Sequence, residues 1–155
     1  MRLFRFLIIL SLCIVVGNLF AQKKEGPKIV KHSGKTFMAG GTFSGGTLSP
    51  TVFDSLILLP MMSMDTLNQP HPVTYFFFTY IERNLYEDST GRPEILADYI
   101  GFNSVEGKVP EIWIKSLKER VKEGDTVLIS NVESFYNDKK LTKFYTEPIK
   151  IIITK

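Results

Sequence analysis

The chain has 155 residues, 44% of them hydrophobic, and its 19 Lys and Arg against 16 Asp and Glu give a formal net charge of +3. That length suffices for one self-sufficient core, and the charges are interspersed rather than gathered into the basic face that nucleic-acid binding needs. The single cysteine, Cys13, excludes an internal disulfide and a Cys-based zinc site.

Arg2 and Arg5 form a short basic start, Phe6 to Val16 is almost entirely apolar, and Leu19-Phe20-Ala21 ends in a small residue before the polar Gln22-Lys23-Lys24-Glu25. Residues 1–21 therefore read as a secretory signal peptide cleaved after Ala21, which directs the chain to the periplasm or the cell surface. The apolar run is shorter than the about 20 residues that a membrane span needs. No transmembrane span is expected once the leader is gone; an uncleaved anchor is the alternative. Cys13 does not suit lipid attachment, because bulky Leu12 precedes it. The leader takes two arginines and no acid with it, so the remaining 134 residues carry 17 basic and 16 acidic side chains. The apparent basicity is thus partly the leader's, and no nucleic-acid partner is expected.

Residues 22–36 are polar and aperiodic, with Gly26-Pro27 and Ser33-Gly34 as breakers, and read as a flexible N-terminal arm that is ordered only if Ile29 and Val30 add an edge strand. Gly40-Gly41-Thr42-Phe43-Ser44-Gly45-Gly46-Thr47 lacks the Lys-Ser or Lys-Thr pair of a phosphate loop. It reads as a turn whose glycines supply positive φ. Ser49 and Pro50 suit the cap and first position of a helix, and Thr51 to Leu59 reads as a short helix passing into a strand. Met61, Met62 and Met64 read as gap-filling core residues rather than soft metal ligands. Asp65 to Pro72 is loop by composition. His32 and His71 are too far apart in sequence to suggest a metal site, and each reads as a lone surface residue.

Val73 to Ile81 is the strongest strand. Tyr75, Phe77, Thr79 and Ile81 point one way and Phe76, Phe78 and Tyr80 the other, so the strand is central and its rings are core rather than a sugar or single-strand platform. Glu82 to Lys108 alternates acids, small residues and breakers and reads as a long irregular connection, with Ile95 to Phe102 a strand or short helix. A pair such as Glu87 and Glu94 offers carboxylates for acid/base work, but no spacing selects it, and solvated loop carboxylates are the simpler reading. No catalytic, cofactor or metal residues are assigned.

Val109, Trp113, Leu117 and Val121, with Ile114 alongside, make one apolar stripe on a helix over about residues 110–122, with Pro110 in its first turn and Gly124 as its stop. Thr126 to Val132 and Ile149 to Thr154 are β-branched strands, Asn137-Asp138-Lys139-Lys140 is a turn, and Pro148 stands where a strand tolerates it.

The order helix, Lys122-Glu123-Gly124-Asp125-Thr126-Val127-Leu128-Ile129-Ser130-Asn131-Val132, turn at Asn137-Asp138-Lys139, then Glu147-Pro148-Ile149-Lys150-Ile151 resembles the C-terminal domain of the gliding-motility and type IX secretion family GldM (PorM). Upstream, Leu48-Ser49-Pro50 with Phe53 and Leu56, followed by the Val73 to Tyr80 strand, is similar in order to that domain's earlier part. The resemblance covers roughly Phe37 to Lys155 and implies a periplasmic, immunoglobulin-like β-sandwich used for protein contact in a Bacteroidetes envelope. That family also has an inner-membrane helix and further periplasmic domains, whereas this chain reads as a leader plus one domain. Coupling to an inner-membrane motor is therefore not implied, and the family offers no catalytic residues.

The expectation is a mainly β domain over 37–155, sandwich-like and immunoglobulin-like, with one helix. It would work as an exported, non-catalytic binding or assembly module for an envelope protein, using either an exposed strand edge or the Glu82 to Lys108 segment. A small-molecule or glycan binder is the alternative and requires Tyr75 to Tyr80, or Tyr86 and Tyr99, to be exposed in a pocket. A hydrolase would require carboxylates or His71 to converge in a cleft.

Overall fold

The computed structural model describes residues 28–30, 34–136 and 142–155. The leader, His32, most of residues 22–33 and the turn expected at Asn137 to Lys140 lie outside the described residues. The chain is mainly β, as the sequence predicts, and among the described residues nine strands are hydrogen-bonded into one curled sheet. The strands are β1 (Lys28–Val30), β2 (Lys35–Phe37), β3 (Gly46–Leu48), β4 (Met62–Met64), β5 (Pro70–Glu87), β6 (Pro93–Ser104), β7 (Thr126–Phe135), β8 (Thr142–Tyr145) and β9 (Ile149–Ile153). Among the described residues two helices occur, α1 (Pro50–Leu56), where a short helix passing into a strand was expected and a turn follows instead, and α2 (Glu111–Arg120).

The spine is the antiparallel pair β5–β7, from Val73 opposite Ser134 to Ile81 opposite Thr126. Between Phe77–Ser130 and Tyr75–Glu133 the register admits one extra residue on β7, where Asn131 takes a positive φ of 51°. Asn tolerates that left-handed conformation better than most residues. A bulge bends its strand and raises the local twist, and here it divides β7 into two working halves. Thr126 to Ile129 pair with β9, while Glu133 to Phe135 pair with β8. On the other side of β5, β4 takes Pro70 to Pro72 and β6 takes Phe76 to Glu87, end to end. The short strands β1 and β3 run parallel beside β8 and β9, so the condition set on Ile29 and Val30 is met.

The loop expected over Asp65 to Pro72 is corrected at its end, where Pro70, His71 and Pro72 belong to β5. An antiparallel ladder alternates bonded and non-bonded pairs, so two prolines flanking one donor residue fit it without loss. The sheet curls until its far edge returns. Gly34 O accepts Glu147 N–H at 3.4 Å, and Thr36 and Thr146 join their hydroxyls, bringing the start of β2 against the link between β8 and β9.

The curl encloses one core. Phe76, Phe78 and Tyr80 of β5, Val127, Ile129 and Val132 of β7, and Ile149, Ile151 and Ile153 of β9 are buried, each set on one face of its strand. Full burial of such a side chain contributes about 1.5–3 kcal/mol. Ser49 caps α1 through Val52 N–H at 3.4 Å, Pro50 takes the first position as expected, and the helix places Phe53 and Ile57 in the core. On the other side, Phe78 stacks on Phe102 at 4.8 Å and Phe102 on Trp113 at 4.8 Å, fixing α2 to β6 and β5. The stripe of α2 faces the core as expected, with Val109 and Leu117 buried. Met61 is core, while Met62 and Met64 are only half buried on β4.

The α2 boundary differs from expectation. The helix ends at Arg120, Val121 turns extended at ψ 123°, and Gly124 (φ 92°) sits in the following turn. The cause is Asp125, whose Oδ2 accepts Lys122 N–H at 2.9 Å and so draws the next backbone donor away from the helix.

Closure of the curl depends on a glycine. A Cβ at Gly34 (φ 143°) would stand 2.2 Å from Met64 O, a backbone atom that cannot step aside. Gly34→Ala is expected to cost about 2–3 kcal/mol, read as a lowered urea midpoint.

Candidate protein-interaction surface

The chain's polar centre is the Asp125 carboxylate, fully buried at the start of β7. It accepts Tyr80 Oη–H, Arg83 N–H at 2.9 Å and Lys122 N–H at 2.9 Å. Tyr80 Oη also lies 3.2 Å from Arg120 O, so β5, the end of α2 and the start of β7 meet at one point. Burial, then the Asp125 bond, push the Tyr80 hydroxyl far above its ordinary range, so it stays a donor. Two residues further along β5, Glu82 receives Arg120 Nη2 at 2.7 Å and Nε at 3.2 Å, with Lys122 Nζ at 3.4 Å from its second oxygen. The Arg120 bonds hold the Glu82 carboxyl below its ordinary value against the opposing effect of burial.

From this anchor a hairpin projects. The β5–β7 ladder ends at Ile81, whereas the β5–β6 ladder continues to Glu87 opposite Pro93. Glu82 to Lys108 is therefore mostly a paired ribbon, which corrects the expectation of a long irregular connection. Cross-strand pairing over twelve positions supplies the order that the sequence lacks in apolar periodicity. Its tip is folded on Asp88, whose Oδ1 accepts Thr90 N–H at 2.8 Å and Arg92 N–H at 2.9 Å, with Gly91 at φ 79°.

Register assigns the faces. Ile81 and Tyr99, Arg83 and Ala97, and Leu85 and Ile95 share the outer face; Glu82 and Asp98, Asn84 and Leu96, and Tyr86 and Glu94 share the inner one. Leu85 is 72% exposed, Tyr99 70% and Ile95 60%, and Leu96 and Tyr86 are exposed on the opposite face. A two-stranded ribbon alone is marginal in water. This one carries apolar side chains on both faces, and among the described residues its outer strand, β6, pairs only with β5. The backbone groups of β6 that point away from β5 form an open edge of twelve residues, whereas β1, β2 and β3 have three each and β5 leaves Glu82 to Glu87 past the end of its β7 ladder.

The remaining candidates are placed elsewhere. Glu87 and Glu94 lie on opposite faces of the ribbon and do not converge. His71 is not a lone surface residue: its Nε2 lies 3.1 Å from Asp65 Oδ2, and its ring meets Phe144 and Tyr136 edge-on at 5.3 and 5.7 Å. Asp65 is otherwise committed to Gln69 N–H at 2.9 Å and Leu67 N–H at 2.8 Å, and these bonds, Gln69's foremost, keep its carboxyl below the ordinary range. That carboxylate borders a surface cavity of about 290 Å3 without a free oxygen to offer it. In the glycine-rich stretch, Gly40 N–H donates to Pro60 O, and Gly41 and Thr42 N–H to Met38 O. These bonds close the turn that the sequence predicts. Phe76, Phe78 and Tyr80 are buried, and Tyr86 and Tyr99 face opposite ways. Among the described residues no group of three or more His, Cys, Asp or Glu is placed to hold a metal ion, and no helix is long and apolar enough to cross a membrane.

Sequence reasoning missed Asp125, read as part of a helix stop, and the hairpin itself. The signal for the hairpin was the turn sequence Asp88-Ser89-Thr90-Gly91. Asp125→Ala is expected to cost about 3 kcal/mol, because it leaves buried donors unpaired, and Tyr80→Phe about 1–2 kcal/mol, both measured by chemical unfolding. Since the Glu82 pKa is depressed, its stabilisation is complete above the ordinary value of 4.5 and is lost as pH falls through the lower folded value. Glu82→Gln is thus expected to lower Tm at pH 7, and the gap to wild type is expected to narrow as the pH is taken down through 4.5 and below. In comparison with known proteins, no family model matches the chain and no curated protein matches it in sequence.

Proposed function

We propose that this chain is an exported, non-catalytic protein-interaction module that engages an envelope partner through the β5–β6 hairpin and its open β6 edge. The observation that carries the reading is the exposure of Leu85, Ile95 and Tyr99 on one face of a ribbon that extends past the sheet, while its outer strand has no neighbour beyond β5 among the described residues. An extended segment of a partner can add to such an edge, its main chain supplying the ladder bonds and its side chains the selectivity. Exposed apolar clusters on ordered elements commonly mark contact sites. The export assignment rests on the leader-like residues 1–21. A role in gliding motility or type IX secretion, and an immunoglobulin-like sandwich, rest on the resemblance of Lys122 to Val132 and Glu147 to Ile151 to the GldM family. The glycan-binding alternative loses support from the placement of the rings, since the two exposed tyrosines of the hairpin cannot line one pocket.

A photo-crosslinking side chain at Tyr99 of the full chain, expressed in its native host, is expected to give one dominant adduct with a second protein. The same group at exposed Lys118 on α2 is expected to give none. Ile95→Asp should abolish the adduct while changing stability by no more than about 0.5 kcal/mol, as is usual at exposed positions. Equal yields from the two positions, or no adduct from either, would sink the reading.

A further inference from the structure

We infer that the strand accepted by the β6 edge belongs to a partner protein and is basic on one face and apolar on the other, with two Lys or Arg side chains four residues apart. The inference rests on the proposed function and goes beyond it by stating what the added strand must carry.

Successive side chains of a strand point to opposite faces. On the outer face β6 presents Ile95, Ala97, Tyr99 and Gly101, none of them charged, and on the inner face Glu94 and Asp98. The two acids are four residues apart, about 13 Å along the strand. Both are exposed. Asp98 Oδ2 accepts Asn84 Nδ2–H at 2.8 Å and Tyr86 Oη–H at 2.9 Å, so it is held in place by neutral donors and keeps its charge. The nearest inner-face cations are already committed, Arg120 and Lys122 to Glu82 and Lys122 also to Asn84 Oδ1 at 2.6 Å. Arg83, on the outer face, leans over Gly124 on the β7 side, away from the open edge.

A strand laid against β6 therefore meets two carboxylates along one side and a continuous apolar row along the other. Opposite charges placed directly across a ladder are favourable and like charges unfavourable. This selects against a second copy of the chain. Antiparallel two-fold pairing of β6 with itself keeps equal faces together, so every register would line up four carboxylates on one side of the seam. Edge charges also guard strands against indiscriminate pairing. The same two carboxylates that repel acidic strands favour a basic one.

The test uses the full chain and three labelled synthetic peptides. The first alternates valine with polar residues and carries two lysines four residues apart; the second has glutamates in their place; the third is the first with alternate backbone nitrogens methylated. Fluorescence anisotropy is expected to show the lysine peptide binding at least about tenfold tighter than the glutamate peptide, with the methylated peptide not binding. Amides of β6 that face away from β5 should exchange at least about tenfold more slowly in the lysine complex. Glu94→Lys, at an exposed site outside the core, should weaken the lysine peptide by about fivefold or more and strengthen the glutamate peptide. Equal affinity for both peptides, binding that leaves β6 exchange unchanged, no binding at all, or dimerisation of the chain through β6 would overturn the inference. An adduct at Tyr99 with no charge preference would remove the partner chemistry alone, whereas loss of both would remove the edge as a site.

Discussion

The Asp125 carboxylate is the interaction on which the rest of the structure depends. One buried acid takes up the donors of Tyr80, Arg83 and Lys122, from two segments distant in sequence, and so fixes three things at once. It ends α2, it starts β7, and it pins β5 at the point where the sheet stops and the hairpin begins. A buried charge is tolerated only where hydrogen bonds replace its lost water, and the convergence of donors at this site meets that demand. The Glu82–Arg120–Lys122 group then continues the polar order outward, so the base of the ribbon is held by ionic contacts where the core has run out.

A second constraint shapes the body. The bulge at Asn131 lets a single strand, β7, serve two neighbours on one side, and the matching division of the far edge of β5 lets β4 and β6 follow one another. The sheet closes on its core at the β2 end and opens into a free ribbon at the β6 end. Rigidity and exposure are thus placed at opposite ends of one pair of long strands. The aromatic stack Phe78–Phe102–Trp113 stands between them, tying the inner end of β6 to the body while its outer end remains free of neighbours other than β5.

Much of this was legible in the sequence where burial dictates pattern. The alternation Phe76, Phe78, Tyr80, the stripe Val109, Trp113, Leu117 and the run Ile149 to Ile153 each announced an element and its inward face. The Ser49-Pro50 start of α1 was readable too, from local capping chemistry. What escaped was held by partners remote in sequence. The hairpin has no apolar period because neither of its faces is covered, so its strands are specified by register and by the Asp88 turn. The Pro70 to Pro72 strand hides behind residues that usually end one. Asp125 resembles any turn aspartate until Tyr80 and Arg83 are brought to it, and His71 gives no hint of Asp65, Tyr136 and Phe144 around it. The open β6 edge was hardest to read, because an edge is defined by the lack of a neighbouring strand and leaves no pattern in the residues themselves.

The short strand β1 acquires a meaning from this arrangement. By lying along β8, Lys28 to Val30 cover part of an edge that the chain would otherwise present beside β6. Among the described residues β1, β2 and β3 are three residues long, and β5 leaves Glu82 to Glu87 past the end of its β7 ladder, so β6 is the longest open edge. Full-length strand addition is thus favoured at β6 over the shorter edges.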